Sequence, residues 1–225
     1  GDEGIYHSPT DMGVNMAGFG IFDDETVRQA ARQEIVRRYY KAECDYKMGN
    51  CTKETVERIR LLMNENKLSV NDRAVVKPAL EKAETAGCAA VALELEDGVF
   101  VTGKSNKLMT ACASAVLNAI KTLSRIADDM LLLSPIVLSP IIGLKKDVLR
   151  EDKVKLSLGD VLTALSICAA TNPIAEKAMS MLVRLRDCEA HSSCILPEAD
   201  QSVMRKLGIR LTCEPEYGSK DLYGF

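Results

Sequence analysis

The stretch Gly98-Val99-Phe100-Val101-Thr102-Gly103-Lys104-Ser105 fits the phosphate-loop pattern G-x-x-x-x-G-K-[ST] at every letter, and its reading decides the fold. A phosphate loop needs a compact turn of mostly small residues, so that successive backbone N–H groups converge on an anion. Here the interior is Val-Phe-Val-Thr, β-branched or aromatic throughout, which prefers an extended strand. Gly98 also belongs to Asp97-Gly98, a hairpin-turn dipeptide with Val91 to Leu95 before it and Val99 to Val101 after it. The stretch reads as the turn and second strand of a β-hairpin, not as a nucleotide cradle.

Working outward, Cys88 to Leu95 and Val99 to Thr102 are the two strands. Before them, Ser69-x-x-Asp72 resembles a capping box for a helix ending near Ala86-Gly87, with Pro78 calling for a kink or a later start. After them comes a long helix striped by Ala113, Val116, Leu117, Ile120, Leu123 and Ile126. Met130 to Leu133 is a short apolar run suited to a buried strand. Ser134-Pro135 and Ser139-Pro140 open a helix running to about Arg150, and Ser157-x-x-Asp160 caps another that Asn172-Pro173 restarts and that ends near Asp187. Cys188 to Leu196 is extended, Glu198 to Leu207 helical with Gly208 as its stop, and Ile209 to Cys213 a last strand. Upstream, residues 1–22 read as a loop. A helix from Asp23 turns Val27, Ala30, Ala31, Ile35, Tyr39 and Ala42 inward, and Thr52 caps a second. The expected class is α/β, a layered mixed sheet with flanking helices and a helical N-terminal segment. Residues 1–70 form that segment, and 71–225 an α/β domain with a helical insertion at about 157–187.

With 225 residues, 47% of them hydrophobic, the chain is long enough to bury a full core. Lys+Arg of 29 against Asp+Glu of 32 leaves no basic footprint for nucleic acid or an anionic membrane, so neither is expected as a partner. The apolar run Met130 to Leu144 is too short to span a bilayer and carries two prolines. The first residues lack the basic and apolar regions of an export signal, and the expected location is cytoplasmic. Eight cysteines without a C-x-x-C pair read as buried free thiols.

The loop His7-Ser8-Pro9-Thr10-Asp11-Met12-Gly13-Val14-Asn15-Met16-Ala17-Gly18, the segment Arg37-Arg38-Tyr39-Tyr40, and the closing Arg205-Lys206-Leu207-Gly208-Ile209-Arg210-Leu211-Thr212-Cys213-Glu214-Pro215 carry a resemblance. They resemble a bacterial family known only as domain of unknown function 1846, also called uncharacterised protein family 0371. Its members are longer and carry a further N-terminal domain that looks nucleotide-binding, so the resemblance implies the C-terminal part of such a protein. It brings no catalytic residue with it. A second likeness concerns architecture: from Asn71 the order of helices and strands looks like that of cytidine deaminases. Thr110-Ala111-Cys112-Ala113-Ser114 stands where deaminases show T-A-[HC]-A-E, and Ser139-Pro140-Ile141-Ile142-Gly143-Leu144 where they show S-P-C-x-x-C. Zinc deamination needs three ligands and a glutamate. Ser114 replaces the glutamate, and Ile141 and Leu144 replace two thiolates, so the likeness implies that fold without its zinc.

Three segments hold the candidate site. The first is the loop in which His7 and Asp11 are catalytic candidates and Ser8, Thr10 and Asn15 ligand-binding ones, a density of donors and acceptors suited to a phosphate or carboxylate. The second, Lys104, Ser105, Asn106 and Lys107, lies at a strand end ahead of a helix, where free N–H groups and ammonium charges favour an anion. The third pairs His191, whose ordinary pKa suits acid–base work, with Ser192 and Ser193. Each has a structural counterpart: turn side chains satisfying their own backbone, a solvated connector, a packed histidine. Cys112 reads as a packed thiol, and Lys145-Lys146 with Arg184 and Arg186 as solvated helix faces. Two functions follow. One is the substrate side of a nucleotide-dependent enzyme whose nucleotide site lies in an N-terminal domain. The other is a non-catalytic scaffold that binds a metabolite or joins copies of the chain. The cofactor is unknown, and no zinc is expected.

Overall fold

The computed structural model describes residues 24–218. The hairpin is there. Strand β1 (Ala90–Glu94) pairs antiparallel with β2 (Phe100–Lys104), placing Val91 opposite Gly103 and Ala92 opposite Thr102. Gly98 turns the chain at φ +75°, where an L side chain is strained. Its N–H reaches the Leu95 carbonyl at 2.8 Å, and Leu95 N–H reaches Val99 O at 2.9 Å. Two further strands complete a mixed sheet in the order β2-β1-β3-β4. β3 (Glu189–Ser192) runs antiparallel to β1, and β4 (Arg210–Cys213) runs parallel to β3.

Helices cover both faces. α3 (Val76–Ala86) lies on the face of Ala92, where Val75 and Ala79 pack against that alanine. Its late start agrees with Pro78, and Gly87 stops it at φ +63°. The capping pair at Ser69 and Asp72 closes a separate 3₁₀ turn at Val70–Asp72, with Ser69 N–H on the Asp72 carboxylate at 2.6 Å. α4 (Ala111–Ser124) covers the opposite face with the expected stripe. Full burial of Val116 and Ile120 contributes about 1.5–3 kcal/mol each. Gly103 lets α4 approach closely: a Cβ there would stand 2.1 Å from the Ala115 nitrogen.

α5 (Pro135–Gly143) opens at Pro135 and runs into a π turn at Leu144–Val148. α6 (Leu158–Ala169) starts at the reciprocal Ser157–Asp160 cap, and α7 (Pro173–Ser180) restarts at Asn172. α8 (Glu198–Lys206) joins β3 to β4. The N-terminal pair, α1 (Asp24–Lys47) and α2 (Lys53–Glu65), packs through Val36, Tyr40, Met63 and Leu68 against Val76.

Three expectations are corrected. Met130–Leu133 is not a strand: the run is an irregular connector whose Leu132 and Leu133 are buried in the core while it lines the cleft beside β2. Of the expected stripe of α1, Ala42 is buried and Ile35 and Tyr39 partly so, but Ala30 and Ala31 face outward and the deepest residues are Val36, Tyr40 and Cys44, because close packing begins only where the helix reaches α2 and β4. Lys145 is not a solvated charge but lies 3.2 Å from both Glu151 and Asp160.

Candidate functional site

One rung of the sheet organises the polar chemistry. The register places Thr102, Ala92, His191 and Thr212 side by side across all four strands, on the face that α3 and α1 cover. A cleft opens at each end of this rung, one beside Thr102 and one beside Thr212.

Between them lies a buried network. Arg73, 1% exposed, enters from the segment ahead of α3. Its Nε donates to Thr212 Oγ1 at 2.9 Å, and one terminal nitrogen donates to the Ala190 and Arg210 carbonyls at 2.9 and 2.6 Å. The other pairs with Glu189, whose carboxylate also holds Arg37 at 2.8 Å. His191 is fully buried, Nδ1 2.8 Å from Thr212 Oγ1 and Nε2 3.1 Å from Glu214 Oε1. Burial pushes its pKa down, the nearby Glu214 carboxylate opposes this, and the charge of Arg73 adds to the lowering. The ring is therefore neutral near pH 7. An ionised carboxylate only accepts, so the single proton sits on Nε2, and Nδ1 accepts from the Thr212 hydroxyl. Tyr40 closes the circuit, its hydroxyl 3.2 Å from Glu214 and its ring 4.8 Å from that of His191. Burial, then Glu214, pushes the Tyr40 hydroxyl well above the usual phenol range.

The cleft at the Thr212 end, about 500 Å³, lies between the second half of α1 and the segment around α8. Its charges are largely spent: Arg37 and Arg38 pair with Glu34, and Arg205 with Glu198. Burial works to raise the Glu34 carboxyl, but Arg38 and Arg37 outweigh it and hold it low. Cys44 and Cys213 also line it. Burial pushes both thiols up to about 12, so neither is a nucleophile at neutral pH.

The cleft at the Thr102 end, about 520 Å³, runs along the free edge of β2. Lys82 of α3, Lys104 of β2 and Lys121 of α4 line it, and no carboxylate stands among the described lining residues. Lys121 donates to the Asp128 carbonyl at 2.8 Å, and none of the three has an acidic partner among the described residues. Asn106, Ser114 and Asn118 add neutral polar groups, and Leu117, Leu132 and Leu138 form an apolar side. Ammonium groups beside apolar surface suit a ligand with a negative end and an oily body.

Of the three candidate segments, the two within the described residues do not share a cleft. Lys104 and Asn106 line the cleft of the β2 edge, but Asn106 Oδ1 accepts the Leu108 and Met109 N–H groups in a turn. Ser105 is held by Lys155 at 2.8 Å, and Lys107 is exposed outside the lining. His191 is sealed in the network, with Ser192 buried and Ser193 Oγ accepting Ala90 N–H at 3.0 Å. His7, Ser8, Thr10, Asp11 and Asn15 lie outside the described residues. Cys112 is packed in the core, its thiol pushed up by burial. Lys82, Lys121 and Asn118 escaped the sequence reading because nothing local marks them. Arg73 gave no signal either. Arg37, Tyr40, Thr212 and Glu214 do have one: they belong to the segments quoted above for a family resemblance, and those segments meet in the network.

A family model described as "Domain of unknown function DUF1846, C-terminal" matches residues 71–223, and one described as "Domain of unknown function DUF1846, N-terminal" matches residues 1–67. The chain belongs to the DUF1846 family. The likeness thus extends beyond the C-terminal part. A UPF0371 protein of Clostridium botulinum strain Alaska E43 is 51% identical over 231 residues, covering 99% of this chain and 46% of the relative. A UPF0371 protein of Clostridioides difficile strain 630 is 51% identical over 233 residues, with the same coverages. The chain spans under half the length of these DUF1846 relatives. Among the described residues no helix is long and apolar enough to cross a membrane, and no three His, Cys, Asp or Glu side chains gather as metal ligands.

Proposed function

We propose that this portion of the DUF1846 family is a binding module whose β2-edge cleft takes a ligand with an anionic group on an apolar body. The observation that carries this is the convergence of Lys82, Lys104 and Lys121, none with an acidic partner among the described residues, above Leu117, Leu132 and Leu138. Unpaired like charges repel across a shared cleft, and an anion relieves that cost while keeping its own partners. The lining offers recognition rather than proton transfer, since its titratable side chains among the described residues are lysines. His191 stands two strands away on the same rung, roughly 10 Å off, with both ring nitrogens engaged. These points favour metabolite binding over the substrate side of a nucleotide-dependent enzyme.

The deaminase likeness supports the same cleft as a ligand site. Ser114, at the position of the deaminase glutamate, is part of its wall. A serine there can hold a ligand but cannot shuttle protons around a metal-bound water.

Calorimetry with octyl phosphate and octanoate tests the proposal. Saturable binding is expected, absent for octanol, and weakened about tenfold by Lys104→Ala, the effect of losing one charged hydrogen bond. Affinity unchanged in a Lys82→Ala/Lys104→Ala double variant would overturn it.

A further inference from the structure

The same cleft holds an unpaired β edge: one wall carries Lys82 and Lys104, and the other is mainly apolar with Lys121, held by the Asp128 carbonyl, on it. In the β1–β2 ladder, Leu95 N–H bonds Val99 O and Ser105 N–H bonds Ala89 O. Antiparallel pairing alternates, so residues 101 and 103 also face β1, while the backbone groups of Phe100, Thr102 and Lys104 point away from the sheet. The Thr102 carbonyl confirms that direction by accepting from Asn118 Nδ2 at 2.9 Å. The outward groups of Thr102 and Lys104 thus open into the cleft that both residues line. Side chains alternate as well. Gly103 faces α4, so Lys104 faces α3, where Lys82 lies. Leu117, Leu132 and Leu138 lie on the α4 side.

We propose, on the basis of the binding reading above, that the occupant is an extended peptide segment of alternating acidic and apolar residues, added antiparallel to β2 as a fifth strand. Its acidic side chains meet Lys82 and Lys104 on one side, its apolar ones meet the leucines on the other, and its backbone bonds the Thr102 N–H and both outward groups of Lys104, with Asn118 keeping the Thr102 carbonyl or yielding it to the peptide. A second copy of this chain does not fit. Two β2 edges brought together would gather Lys82 and Lys104 of both copies in one seam whose described lining offers no carboxylate, a charge placement by which edge strands resist self-pairing. Strand addition draws affinity from main-chain bonds and specificity from alternate side chains, and this edge supplies both.

The test uses the whole chain and the probe acetyl-Leu-Glu-Leu-Glu-Leu-amide, followed by calorimetry and by backbone amide shifts of Thr102 and Lys104. Expected is saturable binding with both amides shifted, at least tenfold tighter than a scrambled isomer with adjacent glutamates. Two singly N-methylated isomers, blocked at neighbouring residues, should differ: the one that loses the N–H facing Lys104 O weakens more than tenfold, and the other does not. Thr102→Pro removes an outward N–H without touching the β1–β2 bonds and should also weaken the peptide; should it fail to fold, the methylated pair still decides. Equal affinities for both methylated isomers, or no peptide binding while octyl phosphate still binds, overturn strand addition and leave the anion cleft standing. Failure of peptide and octyl phosphate alike overturns both, and the lysines then only guard the edge.

Discussion

Arg73 shows how much one buried side chain can organise. A guanidinium carries five N–H donors in a fixed fork, and here it spans Thr212, Ala190, Arg210 and Glu189, tying β3 to β4. Arg73→Met keeps the volume but leaves Glu189 with Arg37 as its close partner and takes the guanidinium donor from two carbonyls, and should cost about 1–3 kcal/mol in urea unfolding. Lys at this position should rescue little, because an ammonium cannot reach four acceptors in one plane. His191 makes a pH prediction. Burial holds its folded pKa below the ordinary 6.5, with Glu214 only partly opposing. Below about pH 6.5 the unfolded chain binds a proton that the folded chain refuses, so stability falls as pH drops through that window and is unaffected by this group above it. Between pH 7.5 and 5.5 the urea midpoint should decline more steeply in the parent than in His191→Gln; parallel slopes would contradict the assignment.

At the scale of elements, the hairpin is where sequence physics had most to say. Val99 to Thr102 is extended, and Gly103 serves not a phosphate but the approach of α4 to β2. Gly103→Ala should therefore destabilise by more than about 3 kcal/mol, beyond usual overpacking, since the clash is with backbone. Thermal unfolding reads this directly, and a variant as stable as the parent would mean that α4 shifts freely. Signals within a few residues, such as the Ser157–Asp160 cap, the Asn172-Pro173 restart and the Gly87 and Gly208 stops, placed helix ends well. Met130–Leu133 misled because a four-residue apolar run has the same pattern in a buried strand and in a buried connector, and only its neighbours decide. The candidate site was legible to the same depth. Lys104 and Asn106 were visible as strand-end residues, whereas Lys82 and Lys121 reach the cleft from helices on opposite faces, which no local spacing reports.

For the whole molecule, the two family models part near residues 68–70, yet the packing does not. Val36, Tyr40 and Met63 from one side of that line pack with Val76 from the other, and Arg37, Tyr40 and Cys44 bond to Glu189, Glu214 and the Cys213 carbonyl. Residues 71–218 produced alone should lose cooperative unfolding and self-associate, as judged by urea titration and size-exclusion chromatography. A monomeric fragment with a sharp transition would show that α1 and α2 are dispensable. The two margins of the sheet are covered differently. At β4 the Cys44 thiol bonds the Cys213 carbonyl and α1 lies over the strand, while at β2 Asn118 holds the Thr102 carbonyl and Lys104 borders the open cleft. A strand added at β2 would carry an outer row of N–H and C=O groups of its own. That partner's outer edge, and not this chain, would then set how far such a sheet could grow.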